Sequence, residues 1–192
     1  MAIFNFFKPK PAIQKKLNEP QINVENIELN DGQKEIFNRL EDSTEHFFIT
    51  GEAGTGKSVL LQYVKKHSKK SLIVGVFTGV AALNVGAQTL NSLFGLPFGF
   101  IHLDKLRVTK KVATLLRHID VVVIDEISMV RADMMDAIDF LLREARGNDI
   151  PFGGVQLVMF GDLYQLPPVV SDRALNQYFA HNHGGPYFFN AL

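Results

Sequence analysis

Residues 51–58 read GEAGTGKS and follow directly after the apolar run HFFIT at 46–50. This octapeptide fits the pattern G-x-x-x-x-G-K-[ST], in which backbone N–H groups surround a phosphate because glycines have no Cβ to block the approach. A glycine-rich turn with a stray lysine is the alternative interpretation. The residues predicted to hold the nucleotide are Gly51, Glu52, Ala53, Gly54, Thr55, Gly56, Lys57 and Ser58.

Two side chains of this loop have separate predicted roles. Lys57 is long enough to reach the β- and γ-phosphates and so takes part in catalysis, and the Ser58 hydroxyl can bind Mg²⁺. The sequence KSVLLQYVKKH, at 57–67, continues as a helix whose N-terminus adds partial positive charge beside the phosphates. The loop therefore predicts a nucleoside triphosphate site, with ATP and Mg²⁺ as its ligands.

A pair of carboxylates ends the second feature, VVVIDEISMV at 121–130. In open α/β sheets the carboxyl ends of the strands face the ligand crevice. We therefore predict that Asp125 holds Mg²⁺ through water and that Glu126 orients and deprotonates the attacking water. An isolated Asp-Glu pair would be no more than a helix-start signal. Beside a complete phosphate loop, the pair favours hydrolysis over transfer of the phosphoryl group to another substrate.

Four short apolar runs supply the elements that must position these residues, namely HFFIT (46–50), SLIVGVF (71–77), DVVVIDE (120–126) and VQLVMFGD (155–162). Their continuous apolar character predicts parallel strands buried on both faces. Helical patterns separate them, as in RADMMDAIDFLLREARG at 131–147, where an apolar stripe ends at a glycine. The pattern predicts an α/β fold with helices on both faces of a parallel sheet.

Composition and charge restrict the class of protein. The chain is 46% hydrophobic and 21% charged, its net charge is zero, and it has no cysteine, which excludes disulfides and thiolate metal sites. Ten Lys and Arg oppose three Asp and Glu over 51–120, whereas four oppose nine over 121–192. Such asymmetry predicts either a basic face for a polyanion or solvated helix surface. Residues 1–22 are expected to form a flexible arm and residues 23–192 a single domain.

Two further stretches follow predicted strands, TGVAALNVGAQTL (78–90) and GDLYQLPPV (161–169). Together with GEAGTGKS and DEIS, they resemble motifs Ia, III, I and II of the PIF family of superfamily-one DNA helicases, which are relatives of the RecD type. The resemblance runs from about residue 31 to residue 170. It implies a RecA-like ATPase domain of an ATP-dependent DNA helicase with five-prime to three-prime polarity. Its implied processes are DNA replication, repair, recombination and telomere maintenance.

The resemblance also implies roles for single residues. Gln33 would contact the adenine, and Gln165 would touch the γ-phosphate as a third catalytic residue. Thr78 and Gly79 would bind the backbone of single-stranded DNA, as would Asn91, which stands where many family members have histidine. The open alternatives are a helix-surface residue for Gln33, a loop cap for Gln165, and an ordinary strand-to-helix turn for Thr78 and Gly79.

The segment GLPFGFIHLDKLRVTKK, at 95–111, falls where the family carries a small wedge near the duplex junction. Phe98 and Phe100 would stack on bases there or pack locally in the core. His181 and His183 have a spacing that metal ligands use, but the sequence near them has no cluster of carboxylates, so a tail loop is expected.

The last expectations concern the rest of a helicase. The chain ends soon after motif III, so the second RecA-like domain that family members carry in cis is expected to be absent, with slow ATP hydrolysis and no unwinding by the chain alone. Single-stranded DNA or DNA junctions are the expected partners. We expect a monomer without membrane association, in the cytoplasm at the nucleoid if the source is bacterial. A RecD-like exonuclease-subunit ATPase, and a nucleotide-gated DNA-binding or partner-docking module, remain as alternatives.

Overall fold

The computed structural model of the chain describes residues 27–52, 54–170 and 172–192. The helices in these residues are α1 (Asp31–Asp42), α2 (Lys57–His67), α3 (Gly79–Val85), α4 (Leu90–Phe94), α5 (Lys110–Arg117), α6 (Ala132–Arg146) and α7 (Arg173–Asn182). The strands are β1 (Phe47–Thr50), β2 (Leu72–Val76), β3 (Gln88–Thr89), β4 (Val121–Asp125) and β5 (Gln156–Gly161). The predicted arm at 1–22 lies outside the described residues, as do residues 23–26 of the predicted domain.

The five strands form one sheet in the order β1-β5-β4-β2-β3, and all the pairings are parallel. Thr50 pairs with Gly161 and Val76 pairs with Asp125, so the carboxyl ends of neighbouring strands reach the same edge. The phosphate loop leaves β1 at that edge, and the predicted carboxylate pair leaves β4, with β5 between them. The predicted parallel α/β sheet is confirmed, although the two-residue strand β3 was not predicted.

Strand β4 is buried on both faces, as its continuous apolar run predicts, whereas that prediction is wrong for the edge strand β1, which buries only Ile49. All four residues from Val121 to Ile124 have no exposed surface. Val121 and Val123 pack in a core cluster with α1 and α2, whereas Val122 and Ile124 pack in a second cluster with α4, α5 and α6. Each fully buried valine or isoleucine contributes about 1.5–3 kcal/mol. The strand is therefore held from both sides, which fixes where its carboxyl end emerges.

Helix α6 follows its predicted stripe. Its buried apolar residues are Ala132, Met134, Met135, Ala137, Ile138, Leu141, Leu142 and Ala145. Gly147 ends the helix with a φ of 64°, a left-handed conformation that suits glycine. The helix covers the sheet on the face opposite α1 and α2.

The expectation of a tail loop at the two histidines is wrong. His181 lies in the last turn of α7, and His183 follows that helix. The His183 Nε2 atom lies 2.9 Å from Asp136 Oδ2 in α6, with the two side chains only 3% and 7% exposed. Within the described residues, no group of three or more histidines and carboxylates could hold a metal ion, and no helix is long and apolar enough to cross a membrane.

Candidate nucleotide and nucleic-acid site

The phosphate loop connects β1 to α2 with two glycines in the left-handed region, Gly54 at a φ of 82° and Gly56 at 89°. Other residues are strained there, so the turn requires glycine. The Lys57 ammonium group donates hydrogen bonds to the carbonyl oxygens of Gly51 and Glu52, the latter at 2.9 Å. The lysine is therefore held across the loop by two neutral acceptors. Ala53 lies outside the described residues.

Gln33 is packed against this loop. It forms a capping box with Asn30 at the start of α1, in which the Gln33 N–H donates to Asn30 Oδ1 at 2.9 Å. Its Nε2 atom donates to the Gly56 carbonyl oxygen at 3.2 Å, and a Cβ on Gly56 would approach Nε2 to 2.6 Å. Gln33 is thus a partner of the phosphate loop rather than a free helix-surface residue. Its contact with adenine stays a prediction.

The carboxylates leave β4 through a tight turn. Asp125 is the last strand residue, and Glu126 adopts a left-handed conformation with a φ of 55° and a ψ of 40°. The Glu126 N–H donates to Asp125 Oδ1 at 2.9 Å. Non-glycine residues seldom take this conformation, and it costs about 1–3 kcal/mol. The turn Ile127–Met129 that follows buries Ile127 and Ser128, which holds the chain in place.

Burial changes the basicity of both carboxylates. Burial raises the pKa of Asp125, opposed by the Glu126 N–H and by the charge of Lys57. Burial also raises the pKa of Glu126, as does the charge of Asp125, whereas the Thr78 hydrogen bond acts to lower it. A glutamate with a raised pKa is a stronger base than an exposed one, which suits a group that accepts a proton from water. The parallel order β1-β5-β4 places the phosphate loop and the carboxylates at the same edge of the sheet.

The third loop follows β5, which lies between the other two strands of the site. Asp162 is 8% exposed and accepts hydrogen bonds from the Tyr164 N–H at 3.0 Å and from Gln165 Nε2 at 3.3 Å. The Gln165 N–H donates to the Asp162 carbonyl oxygen at 3.0 Å. Asp162 therefore positions Gln165, a role that the sequence reasoning missed. The available signal was an acidic residue directly after a predicted strand, as at Asp125.

The predicted DNA-contacting residues lie beyond β2 and β3, and two of them have internal partners. Thr78 caps α3 by accepting the Ala81 N–H at 3.2 Å, and its hydroxyl lies 3.3 Å from Glu126 Oε2. Gly79 is exposed, with open space where a Cβ would stand. The Asn91 amide nitrogen donates to the Pro97 carbonyl oxygen at 2.9 Å. Asn91 therefore fixes the segment that begins at residue 95, and its DNA contact stays a prediction.

A buried ion pair holds the segment at 95–111 in place. Arg131 and Asp133 lie 2.8 Å apart, with side chains 11% and 3% exposed. Arg131 donates to the Gly99 carbonyl oxygen, and the Ile101 N–H donates to Asp133 Oδ2 at 2.9 Å. Arg131 and Asp133 therefore both form hydrogen bonds with the backbone of the segment. The side chain of Phe98 is left 92% exposed between these anchors.

Phe100 differs from its neighbour. Its ring makes edge contacts with Tyr178 and Phe179 of α7, at centroid distances of 4.8 and 6.0 Å. Phe100 therefore packs locally, whereas Phe98 is exposed and its stacking on bases stays a prediction.

The family model described as PIF1-like helicase matches residues 28–183. The chain belongs to the PIF1-like helicase family. It is 39% identical over 149 residues to the ATP-dependent DNA helicase PIF1 of Saccharomyces cerevisiae, covering 73% of this chain and 17% of that relative. The resemblance inferred from the four motifs is confirmed.

Solved Pif1 structures share the fold. Pif1 helicase from Bacteroides, in complex with ADP-AlF3 and single-stranded DNA, aligns with a TM-score of 0.81 and 44% identity over 87% of this chain and 39% of that one. A structure describing DNA unwinding at forked duplex DNA by two coordinating Pif1 helicases aligns with a TM-score of 0.82 and 44% identity over 86% and 41%. The chain thus spans less than half the length of these relatives, and the predicted RecA-like domain is confirmed.

Proposed function

We propose that this chain is the ATP-binding and ATP-hydrolysing motor domain of a PIF-type DNA helicase. The observation that carries the proposal is the convergence of three loops at the carboxyl ends of β1, β5 and β4, neighbouring strands of one sheet. One loop is built for phosphate, one carries two carboxylates, and one carries a positioned glutamine. Relatives named ATP-dependent DNA helicases, and one solved with ADP-AlF3, support this assignment.

Nucleotide binding would use the Lys57 ammonium group, which the loop already holds in place. Lys57 bonds to two carbonyl oxygens, and phosphate oxygens would replace them as stronger, charged acceptors. The Ser58 hydroxyl and the Asp125 carboxylate are the oxygen donors that Mg²⁺ prefers. These two residues would hold the ion, which supplies positive charge to the phosphates.

Hydrolysis would use Glu126 as the base. Its carboxylate takes a proton from water while the water oxygen bonds to the γ-phosphorus, and the bond from phosphorus to the bridging oxygen breaks to release ADP. Gln165, held by Asp162, would contact the γ-phosphate and report its presence.

Single-stranded DNA would run past Thr78 and Gly79 toward the exposed ring of Phe98. Hydroxyl and backbone N–H groups bind phosphates without reading sequence, and an exposed ring stacks on any base.

The helicase would move with five-prime to three-prime polarity. It would act in DNA replication, repair or recombination and at telomeres. A second RecA-like domain in cis would complete the motor. We also propose that the protein is a monomer. If the source is bacterial, we propose that it lies at the nucleoid, and a fluorescent fusion would test this location.

The test is ATP turnover with and without single-stranded DNA, measured beside nucleotide binding. Glu126→Gln should lower turnover by about 10²- to 10⁴-fold and leave nucleotide binding intact, because it removes the base alone. Lys57→Ala should weaken nucleotide binding itself. Glu144→Gln, an exposed acid on α6, is the matched control and should change neither.

Two results would favour other functions, and a third would contradict the nucleotide site. Equal inactivity of the unmodified chain and Glu126→Gln, with nucleotide binding retained, would favour a nucleotide-gated binding module. Co-purification with nuclease subunits would favour the RecD-like alternative. Nucleotide binding that is insensitive to Lys57→Ala would contradict the phosphate loop itself.

A further inference from the structure

The hydroxyl of Thr78 links the residues proposed to bind DNA to the residues proposed to hydrolyse ATP. Thr78 lies two residues beyond the end of β2, and Glu126 lies one residue beyond the end of β4. Because Val76 pairs with Asp125 across these neighbouring strands, the two side chains emerge at the same edge. Their hydroxyl and carboxylate oxygens are 3.3 Å apart. A residue expected to contact DNA therefore touches the residue expected to activate water.

The hydrogen bond has only one possible direction. An ionised carboxylate only accepts hydrogen bonds, and a hydroxyl has a single hydrogen to donate. Because the Glu126 carboxylate can only accept, the Thr78 hydroxyl donates its hydrogen to Glu126 while its oxygen accepts the Ala81 N–H at 3.2 Å. Phosphate oxygens of DNA are also acceptors only. A phosphate that takes the Thr78 hydrogen therefore removes it from Glu126.

We propose that Thr78 is a positioning residue through which single-stranded DNA controls Glu126 by competing for one hydrogen. Without DNA, the hydroxyl holds the carboxylate of Glu126 toward β2. With DNA, a backbone phosphate accepts that hydrogen, and the released carboxylate is free to orient water. The inference deepens the proposed function and rests on its assignments of Thr78 to DNA and Glu126 to hydrolysis.

A purely structural role must be distinguished from this coupling, because Thr78 also caps α3. The cap uses a lone pair of the hydroxyl oxygen, whereas the coupling uses its hydrogen. Thr78→Ser keeps the helix cap and the coupling, and Thr78→Val removes the helix cap and the coupling. Single variants of Thr78 therefore cannot separate the two roles. Replacing Glu126 leaves the cap intact and removes only the competing acceptor.

The deciding experiment is a double-mutant cycle on the affinity for an oligo(dT) strand, by fluorescence anisotropy without nucleotide. Glu126→Ala should tighten binding by a larger factor in the Thr78 background than in Thr78→Val, with a ratio of about two- to tenfold, the typical worth of one hydrogen bond. Asp125→Ala is the matched control, since it removes a neighbouring charge but not the Thr78 partner. Its effect should be the same in both backgrounds.

Single-turnover hydrolysis gives a second measurement. Thr78→Val should raise DNA-free hydrolysis by about two- to tenfold and shrink the stimulation by DNA, whereas Thr78→Ser should restore both values. Asp172→Ala removes the side-chain cap of α7 and should leave hydrolysis unchanged. Thr78→Ala replaces Thr78→Val if the latter does not fold.

The outcomes separate this inference from the proposed function. Equal effects of Glu126→Ala in the two Thr78 backgrounds overturn the coupling, even if ATP is hydrolysed. A positive cycle in a chain without turnover supports the competition and contradicts the hydrolysis. No binding of the oligo(dT) strand by the unmodified chain overturns both the DNA assignment and the coupling.

Discussion

The phosphate loop and the segment at 95–111 were both predicted to contact a ligand, and they are held in different ways. The phosphate loop is shaped by its own short sequence, with glycines in left-handed conformations between β1 and α2, which anchor it in the core through Ile49, Leu60, Leu61 and Val64. The segment at 95–111 is held by side chains that lie outside it, and the bonds from Arg131 and Asp133 span 32 residues of sequence. Its anchors are Asn91 and the ion pair of Arg131 and Asp133.

This difference separates local from tertiary control. A loop between two elements that are each anchored in the core stays in place when its side chains change, so its residues are available for the ligand. Phe98 can be exposed because hydrogen bonds from other residues hold the backbone of the 95–111 segment. Variants of those anchors should therefore act on stability, whereas variants of Phe98 should act on DNA binding.

The largest effect on stability is expected from breaking the buried ion pair. Asp133→Ala leaves the Arg131 charge and the Ile101 N–H without their partner, which should lower the free energy of unfolding by about 3–5 kcal/mol. Urea unfolding measures the change. The control is Glu45→Ala, which breaks the ion pair between Arg39 and Glu45. The two side chains are 59% and 64% exposed, so this change should cost about 0–1 kcal/mol. Similar small losses for both variants would show that the segment does not need its anchor.

The nucleotide half of the site was predictable because its residues follow strands with continuous apolar runs. The register that brings the ends of β1, β5, β4 and β2 to one edge follows from parallel pairing, so Lys57, Asp125 and Gln165 were placed correctly beside their strands. Asp162 was missed because its role depends on a turn that brings Gln165 back onto it. A hydrogen bond inside such a turn has no periodic signal in the sequence.

The half of the site that is proposed to bind DNA was less predictable because Thr78 and Asn91 form hydrogen bonds within the protein. The charge excess over 51–120 predicted either a basic face or solvated helix surface, yet some of its lysines bond internally, and Lys70 precedes β2 at the edge of the sheet opposite the site. Lys70 donates to the carbonyl oxygen of Leu40 at 2.6 Å and to Gln156 Oε1 at 2.8 Å, and Lys65 donates to the carbonyl oxygen of Val85. Such contacts join residues far apart in sequence, so a count of charges cannot reveal them.

The next largest effect should separate Phe98 from Phe100. Phe98→Ala should weaken single-stranded DNA binding by about 1–3 kcal/mol, the value of one base stacked on an aromatic ring, with an unchanged unfolding midpoint. Phe100→Ala should lower the unfolding midpoint because its ring packs on α7. Anisotropy with an oligo(dT) strand and thermal unfolding measure the two properties. Equal losses of DNA affinity in both variants would contradict the division of roles.

A smaller effect is expected at Asn91. Asn91→Ala removes hydrogen bonds to the carbonyl oxygens of Leu96 and Pro97, so the free energy of unfolding should fall by about 0.5–1.5 kcal/mol. Any loss of DNA affinity should act through the exposed ring of Phe98, so Asn91→Ala should have little further effect on binding in the Phe98→Ala background. Additive losses would instead support a direct DNA contact by Asn91.

The smallest effect lies at the opposite edge of the sheet, where His46 precedes β1. Partial burial lowers the pKa of His46 below its ordinary value of 6.5, and its Nδ1 atom accepts the Leu157 N–H at 3.0 Å. Because the native state binds this proton less readily than the unfolded state, the contribution of His46 is present above about pH 6.5 and is lost as pH falls toward the lower native pKa.

Urea midpoints measured across this range should therefore fall more steeply for the unmodified chain than for His46→Gln, which removes the titrating group. Other histidines titrate in both proteins, so only the difference between the two curves reports on His46. Parallel curves would contradict the lowered pKa. A difference that appears in stability but not in nucleotide affinity would show that pH acts on this edge of the sheet separately from the site at the other edge.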